Sequence, residues 1–324
     1  MYKRQIYSDR TDEIGIFAHF FNEVTSSLEK VTEQLEDSKK VSGELKTAGQ
    51  LQKELIPVLA PSIKGFEICV KNRSAEELGG DNIDFINYKN HTFFYIGDVT
   101  GHGVPAAIVM TMVNTLINAF AEIYETAYDI VVNTNRRLKK RIRTTMFMSM
   151  LMLKWDADDQ KMTYVGCGHE YLIVYRAKTG KCETTASGGI ALGMIPDNRK
   201  ITKEKDLPLE NGDIIVLYTD GITEAKNMKG DMFGLERLVA VVNLYGGQSD
   251  AENLVQEIAK SFSIFVEEHV QEDDITILVV KKIDSDQVGK SVIDSKQERW
   301  SGAVIGTDTT KIIEDPAKTV NQVA

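Results

Sequence analysis

Four aspartates stand where strand-like apolar runs end, each beside glycine or a second acid. They are Asp81 in Gly79-Gly80-Asp81, Asp98 in Gly97-Asp98-Val99-Thr100-Gly101-His102-Gly103, Asp220 in Tyr218-Thr219-Asp220-Gly221, and Asp273 in Asp273-Asp274-Ile275-Thr276. Carboxylates collected at strand ends suit hard divalent cations, because Mg2+ and Mn2+ prefer oxygen ligands and keep water positions open for chemistry. Taken singly, each has an ordinary explanation as a cap, a hairpin turn or a charged loop. Jointly they are harder to dismiss. Asp98 follows the apolar run 93–97 and precedes small residues that let backbone approach an ion, with the Val99 carbonyl as a further oxygen. Asp220 follows the run 214–218 in the same way, so two carboxylates fall at the ends of two buried strands.

The chain around these acids divides by pattern. From about residue 12 to 55 it is polar, lacks proline, and places Phe17, Phe21, Val24, Leu28, Val31 and Leu35 at alternating spacings of four and three. That is a heptad seam, and a narrow apolar stripe of this kind implies burial against a second copy or a neighbouring helix, with one long solvated helix as the alternative. The seam weakens near Ser38, Ser42 and Gly49 and recovers through Leu45, Ala48, Leu51 and Leu55 before Pro57 and Pro61 stop the helix. From about 65 to 283, short β-branched and aromatic runs alternate with turn residues. Strands are expected at 66–72, 83–88, 92–98, 146–155, 161–167, 171–176, 213–219 and 275–281. Helices are expected at 104–122, 125–143, 234–244 and 250–268. Hairpin-spaced strands with two helix pairs predict an α+β sandwich in which helices cover sheets. Residues 284–324 are polar and without periodicity, which reads as a mobile tail with a short docked strand as the alternative.

Composition excludes several function classes. A formal charge of −10 over 324 residues argues against nucleic acid, which is bound largely through Lys and Arg. A phosphorylated substrate would be repelled too, unless metal ions reversed the sign locally. Cys69, Cys167 and Cys182 show no C-x-x-C spacing, so neither a disulfide framework nor a zinc site is expected, and a cytoplasmic location fits. No long unbroken apolar segment and no signal-peptide pattern is present, so a membrane enters only through a missing upstream segment. Met146, Met148, Met150 and Met152 alternate at period two and read as a buried strand. Arg136, Arg137, Lys139, Lys140, Arg141 and Arg143 read as a solvated face that complements a helix dipole, with docking of an acidic partner as the alternative. No Cys-x5-Arg loop or Gly-x4-Gly-Lys-Ser/Thr loop occurs, which favours hydrolysis by water over a cysteinyl phosphoenzyme or a nucleotide site.

Read in order, Gly79-Gly80-Asp81-x-x-Asp84, the run from Gly97 to Ala107, Gly212-Asp213 through Ala225, Phe233-Gly234-x-x-x-Leu238 and Asp273-Asp274-Ile275-Thr276 resemble the SpoIIE-like (RsbU-like) branch of the PPM metal-dependent serine/threonine phosphatases. The resemblance covers roughly 50–283. It implies an α+β, four-layer αββα sandwich of two antiparallel sheets flanked by helices, with two Mn2+ or Mg2+ ions at one end. Carried over, Asp98 is the bridging ligand, Val99 offers its carbonyl, Asp220 and Asp273 complete the set, and Asp81 ligates directly or through water. Asp274 is a weaker candidate for the metal, and Asp84 has a supporting or structural role. The implied reaction is attack of an activated water on a phosphoserine or phosphothreonine ester. His102 either protonates the leaving oxygen or hydrogen-bonds backbone in its Gly-His-Gly turn, with the structural role preferred. Gly166-Cys167-Gly168-His169-Glu170 resembles the family's A-G-H-P-P segment with two departures, Cys for Ala and Glu for Pro. The implied partner is a phosphorylated STAS-type regulator of the anti-sigma-factor antagonist class; the sequence assigns no substrate-binding residue.

The segment Asp12-Glu13-Ile14-Gly15 through Leu28 resembles the second helix of a HAMP signalling module, and Leu51-Gln52-x-x-Leu55-Ile56-Pro57 resembles the helix that leads into such phosphatase domains. The implied organisation is a partial HAMP helix over 1–30, a coiled-coil linker over 31–60, the phosphatase domain over 61–283 and the tail over 284–324. A homodimer through the N-terminal helix follows, and that helix would regulate the metal loops. Two other functions compete: a non-catalytic dimeric signalling module, and a HAMP-linked nucleotide cyclase using two aspartates and two metals.

Overall fold

The computed structural model describes residues 12–57 and 60–294. The chain forms two compact units, Met1–Gln50 and Leu51–Ala324. The first is the body of one long helix, α1 (Glu13–Lys53), which starts where Asp12 Oδ1 accepts the backbone N–H groups of Ile14 and Gly15. A carboxylate there satisfies donors that the first helical turn leaves orphaned. The heptad residues lie along this helix with their side chains exposed; Phe17 is 63% and Leu28 60% accessible. The first part of the HAMP-like stretch, residues 1–11, lies outside the described residues.

The second unit is built on two sheets. Strands β1 (Phe66–Arg73), β6 (Tyr171–Arg176), β7 (Lys181–Ala186), β9 (Ile214–Tyr218), β10 (Ile275–Lys282) and β11 (Ser291–Asp294) form one, in the order β11-β1-β10-β9-β6-β7. Strands β2 (Asn82–Tyr88), β3 (His91–Val99), β4 (Met148–Asp156), β5 (Lys161–Cys167) and β8 (Glu204–Asp206) form the other, in that order. Pairing is antiparallel except where β11 lies parallel to β1.

Period-two alternation decides what each sheet face meets. Phe66, Ile68 and Val70 of β1, Leu217 of β9, Phe94 and Ile96 of β3, and Leu151, Leu153 and Trp155 of β4 fill the space between the sheets. Full burial of a side chain of this size contributes about 1.5–3 kcal/mol. The alternate residues face the helices. Met148, Met150 and Met152 pack under α2 (Gly103–Ala121) and α3 (Ala127–Leu138), while Val216, Tyr218, Ile277 and Val279 pack under α5 (Gly234–Tyr245) and α6 (Ala251–Val266). The result is the expected αββα order, two sheets flanked by helices.

The expected strands and helices are all present, with shifted ends. The helix expected to run to 143 stops at Leu138; the Arg141 and Ile142 N–H groups then bond the Leu138 carbonyl as the chain turns. The polar stretch after Ile283 contains the edge strand β11, while residues 295–324 lie outside the described residues. Strands β7 and β8 and the four-residue helix α4 (Asp220–Thr223) were not expected.

Candidate metal centre

Sheet order explains how acids so far apart in sequence become neighbours. β9 and β10 run antiparallel with Tyr218 opposite Ile277, so the end of β9, which leads into Asp220, lies beside the start of β10, which follows Asp273 and Asp274. In the facing sheet, Asp98 is the penultimate residue of β3, and Asp81 immediately precedes β2 with Asn82 opposite Gly97. Asp98 therefore comes from one sheet and Asp220 and Asp273 from the other. The Coulombic influence of these groups on one another places them in a common cluster: Asp98 feels Asp220, Asp273 and Asp274, and Asp81 feels Asp274 and Asp98.

Hydrogen bonds fix the cluster from behind. Asp81 is 4% exposed, and its Oδ2 accepts the Thr219 hydroxyl at 2.9 Å and the Thr276 hydroxyl at 2.6 Å. Asn72 Nδ2 donates to Thr276 Oγ1, and the Thr276 N–H donates to Thr219 Oγ1, so both threonines are held in turn. Asp274 accepts the Ala75 N–H on Oδ1 and the Gly80 and Asp81 N–H groups on Oδ2, which pins the loop before β2 to the start of β10. Asp273 remains exposed on the open side. Two glycines make the close approach possible. A Cβ on Gly221 would lie 1.9 Å from the Asp274 carbonyl oxygen, and one on Gly80 would lie 3.1 Å from the Val99 carbonyl oxygen and 3.5 Å from Asp98 Oδ1.

The electrostatics are those of acids lacking a counter-charge. Burial, then Asp220, Asp273 and Asp274, push Asp98 up to about 8. Burial, then Asp273, Glu224 and Glu170, push Asp220 up to about 6. Burial, Asp274 and Asp98 hold Asp81 well above the usual carboxylate range, and burial raises Asp274 as well. Among the described residues no three His, Cys, Asp or Glu side chains are already drawn to one ligating point. An all-oxygen donor set, raised carboxyl pKa values and a Val99 carbonyl that approaches Gly80 beside Asp98 fit a hard divalent cation.

The remaining sequence candidates fall around this cluster. His102 precedes α2, is largely exposed, makes no side-chain cap, and sets Nδ1 2.9 Å from Glu76 Oε1. Asp84 faces away: Oδ1 accepts the Phe85 N–H, and Oδ2 accepts Asn114 and Asn118 of α2. His169 is half-buried beside β4, with Nδ1 2.8 Å from Ser149 Oγ, and desolvation of its ring lowers it to about 4. Ser149 is the cross-strand partner of Asp98. A cavity of about 410 Å3 opens beside Asp273 and Gly221, walled by Glu224, Lys226, Phe262 and Val266. Thr219, Thr276 and Asn72 were missed by sequence reasoning; the available signal was Thr219 beside Asp220 and Thr276 two residues after Asp274.

Comparison with known proteins agrees with this geometry. The family described as Stage II sporulation protein E (SpoIIE) matches residues 88–282. Phosphoserine phosphatase RsbU of Bacillus subtilis is 26% identical over 244 residues, covering 75% of this chain and 71% of RsbU. Protein IcfG of a Synechocystis species is 25% identical over 301 residues, 84% of this chain, which spans only 46% of IcfG. Among solved structures, the SiaA-PP2C domain of Pseudomonas aeruginosa superposes with a TM-score of 0.65 at 20% identity, over 76% of this chain and 98% of that domain. The RsbU and RsbW domains of a Mycobacterium tuberculosis protein give 0.60 at 20% identity, over 71% of this chain and 63% of that one. With the acids of two facing sheets gathered at one end of a PP2C-type sandwich, the chain belongs to the SpoIIE family of PP2C-type phosphatases.

Proposed function

We propose that this chain is a metal-dependent phosphoprotein phosphatase that hydrolyses phosphoserine or phosphothreonine on a regulatory protein, of the STAS-type anti-sigma-factor antagonist class. The observation that carries the reading is the meeting of Asp98 from one sheet with Asp220 and Asp273 from the other, in a cluster whose strongest electrostatic influences are burial and further acids. Two Mn2+ or Mg2+ ions would be held by Asp98, the Val99 carbonyl, Asp220, Asp273 and Asp81. Bound there, the ions supply an activated water and neutralise phosphoryl charge. The protein's part is positional. Asp274 and the two threonines hold the ligand loops, Gly80 and Gly221 admit close packing, and His102, oriented by Glu76, is the exposed group available to donate a proton to the leaving oxygen.

The exposed heptad face of α1 supports a homodimer formed through that helix, and its HAMP-like start supports regulation from an upstream signalling segment, on the cytoplasmic side of a membrane-anchored receptor. Phosphate release from p-nitrophenyl phosphate and from a phosphoserine protein tests the reaction, with Mn2+, with Mg2+ and with chelator. Turnover that needs metal and is lost in Asp98→Ala and Asp220→Ala is expected. Metal-independent turnover overturns the mechanism, absence of turnover with either metal favours a non-catalytic module, and pyrophosphate release from a nucleoside triphosphate favours a cyclase.

A further inference from the structure

Gln52 lies in the last turn of α1 and is 8% exposed, although the helix carries mostly exposed side chains. Its carboxamide makes two bonds to one residue: Nε2 donates to the Gly79 carbonyl at 2.7 Å, and Oε1 accepts the Gly79 N–H at 3.1 Å. Both backbone groups of Gly79 are thereby satisfied by a side chain 27 residues earlier. The next two N–H groups, of Gly80 and Asp81, go to Asp274 Oδ2. The segment is thus gripped from two sides. A third feature shows what the grip is for, since Gly80 approaches the Val99 carbonyl and Asp98 Oδ1 closely enough that a Cβ would touch both.

We propose that Gln52 is a positioning residue of the metal centre: its carboxamide fixes the Gly79 peptide groups and so holds Gly80 and Asp81 in register with Val99 and Asp98. The inference rests on the phosphatase reading, because it assigns the site a divalent cation. An apolar side chain at 52 leaves a buried N–H and a buried C=O without partners, and the loop then moves to find others. A side chain needed only for packing would have no reason to be an amide aimed at both backbone groups of one residue.

The test is Mn2+ binding to the full chain without substrate, read as loss of the free-ion electron paramagnetic resonance signal, for wild type, Gln52→Met and Gln52→Ala. Gln52→Met keeps most of the bulk and loses both bonds. We expect about tenfold weaker Mn2+ binding in both variants, the effect of two hydrogen bonds of ordinary net worth. The metal-free melting temperature of Gln52→Met should stay close to wild type, and in turnover assays half-saturating Mn2+ should rise while kcat at saturating Mn2+ recovers. Wild-type Mn2+ affinity in Gln52→Met overturns the inference and leaves the phosphatase reading intact. If wild type itself binds no Mn2+ and releases no phosphate, the phosphatase reading falls and this inference with it. Should Gln52→Ala not fold, Gln52→Met still decides. Should neither fold, hydrogen exchange on wild type decides: a Gly79 amide exchanging as fast as an exposed loop amide overturns the grip, and a protected one supports it.

Discussion

Asp98 is a carboxyl that folding places among other acids, and its pH behaviour follows with a definite sign. Its ordinary value of 3.8 is raised in the folded chain to about 8, by burial first and then by Asp220, Asp273 and Asp274. Between those values the folded chain holds a proton that the unfolded chain has released, so this contribution is fully present below about 3.8 and lost as pH rises through about 8. In chelator, wild type should therefore lose thermal stability from pH 5 to pH 8 more steeply than Asp98→Asn, and the stabilisation given by Mn2+ should grow over the same range as the ion displaces the proton. Melting curves at fixed ionic strength check this; parallel pH profiles for the two proteins would remove the assignment. A second residue-scale prediction concerns Thr219 and Thr276. Thr219→Val and Thr276→Val each take a hydroxyl from Asp81 Oδ2 and should weaken Mn2+ binding by about 10–100-fold, as loss of an outer support typically does, measured by calorimetric titration. The acids were legible in the sequence because Asp beside Gly after an apolar run carries its own signal. The threonines were not: after such a run Thr reads as one more β-branched strand residue, and the bonds that give it a role span 138 and 195 residues.

Periodicity made most of the elements readable, and where it was absent they were missed. The heptad stripe of α1 and the alternating methionines of β4 give unambiguous periods, and both elements are present. Strand β7 reads Lys-Cys-Glu-Thr-Thr-Ala and is almost wholly exposed at a sheet edge, β8 is three charged residues, and α4 is one turn wound on the Asp220 corner. The two strands are held by their neighbours' hydrogen bonds and α4 by the single buried side chain of Ile222, so none has a periodic apolar face for the sequence to show. Helix α1 carries a prediction at this scale. Its apolar stripe stays exposed on the single chain, with Val24 40% and Leu28 60% accessible, which a lone helix in water tolerates poorly. Val24→Glu with Leu28→Glu should raise the dimer dissociation constant by about a hundredfold or more, from the lost burial of two side chains at about 1.5–3 kcal/mol each. Sedimentation velocity reads the outcome; a monomeric wild type, or an unchanged dimer in the double variant, would refute the dimer.

At the scale of the phosphatase unit, the proposed metal centre joins the ends of two sheets that otherwise meet through an apolar core. The same acids that would bind a cation push its two halves apart without one, so function and stability would oppose each other there. On the proposed reading, Asp98 on one side and Asp220 and Asp273 on the other would hold a cation, and the repulsion between them would become a cross-link between sheets. At a Mn2+ concentration of a hundred times Kd, linkage gives about 2.7 kcal/mol of stabilisation, a melting rise of about 5–10 °C for a domain of this size. On the proposed reading, Asp98→Asn removes one ionisable acid from the cluster and one ligand from the centre together. It should melt above wild type in chelator and below it in saturating Mn2+, with turnover reduced roughly a thousandfold, the loss of several kcal/mol of transition-state stabilisation. The crossing of the two melting temperatures is the decisive observation. A variant merely damaged in folding would melt below wild type under both conditions, and a variant at a site unrelated to metal would keep its order whether or not the ion is present.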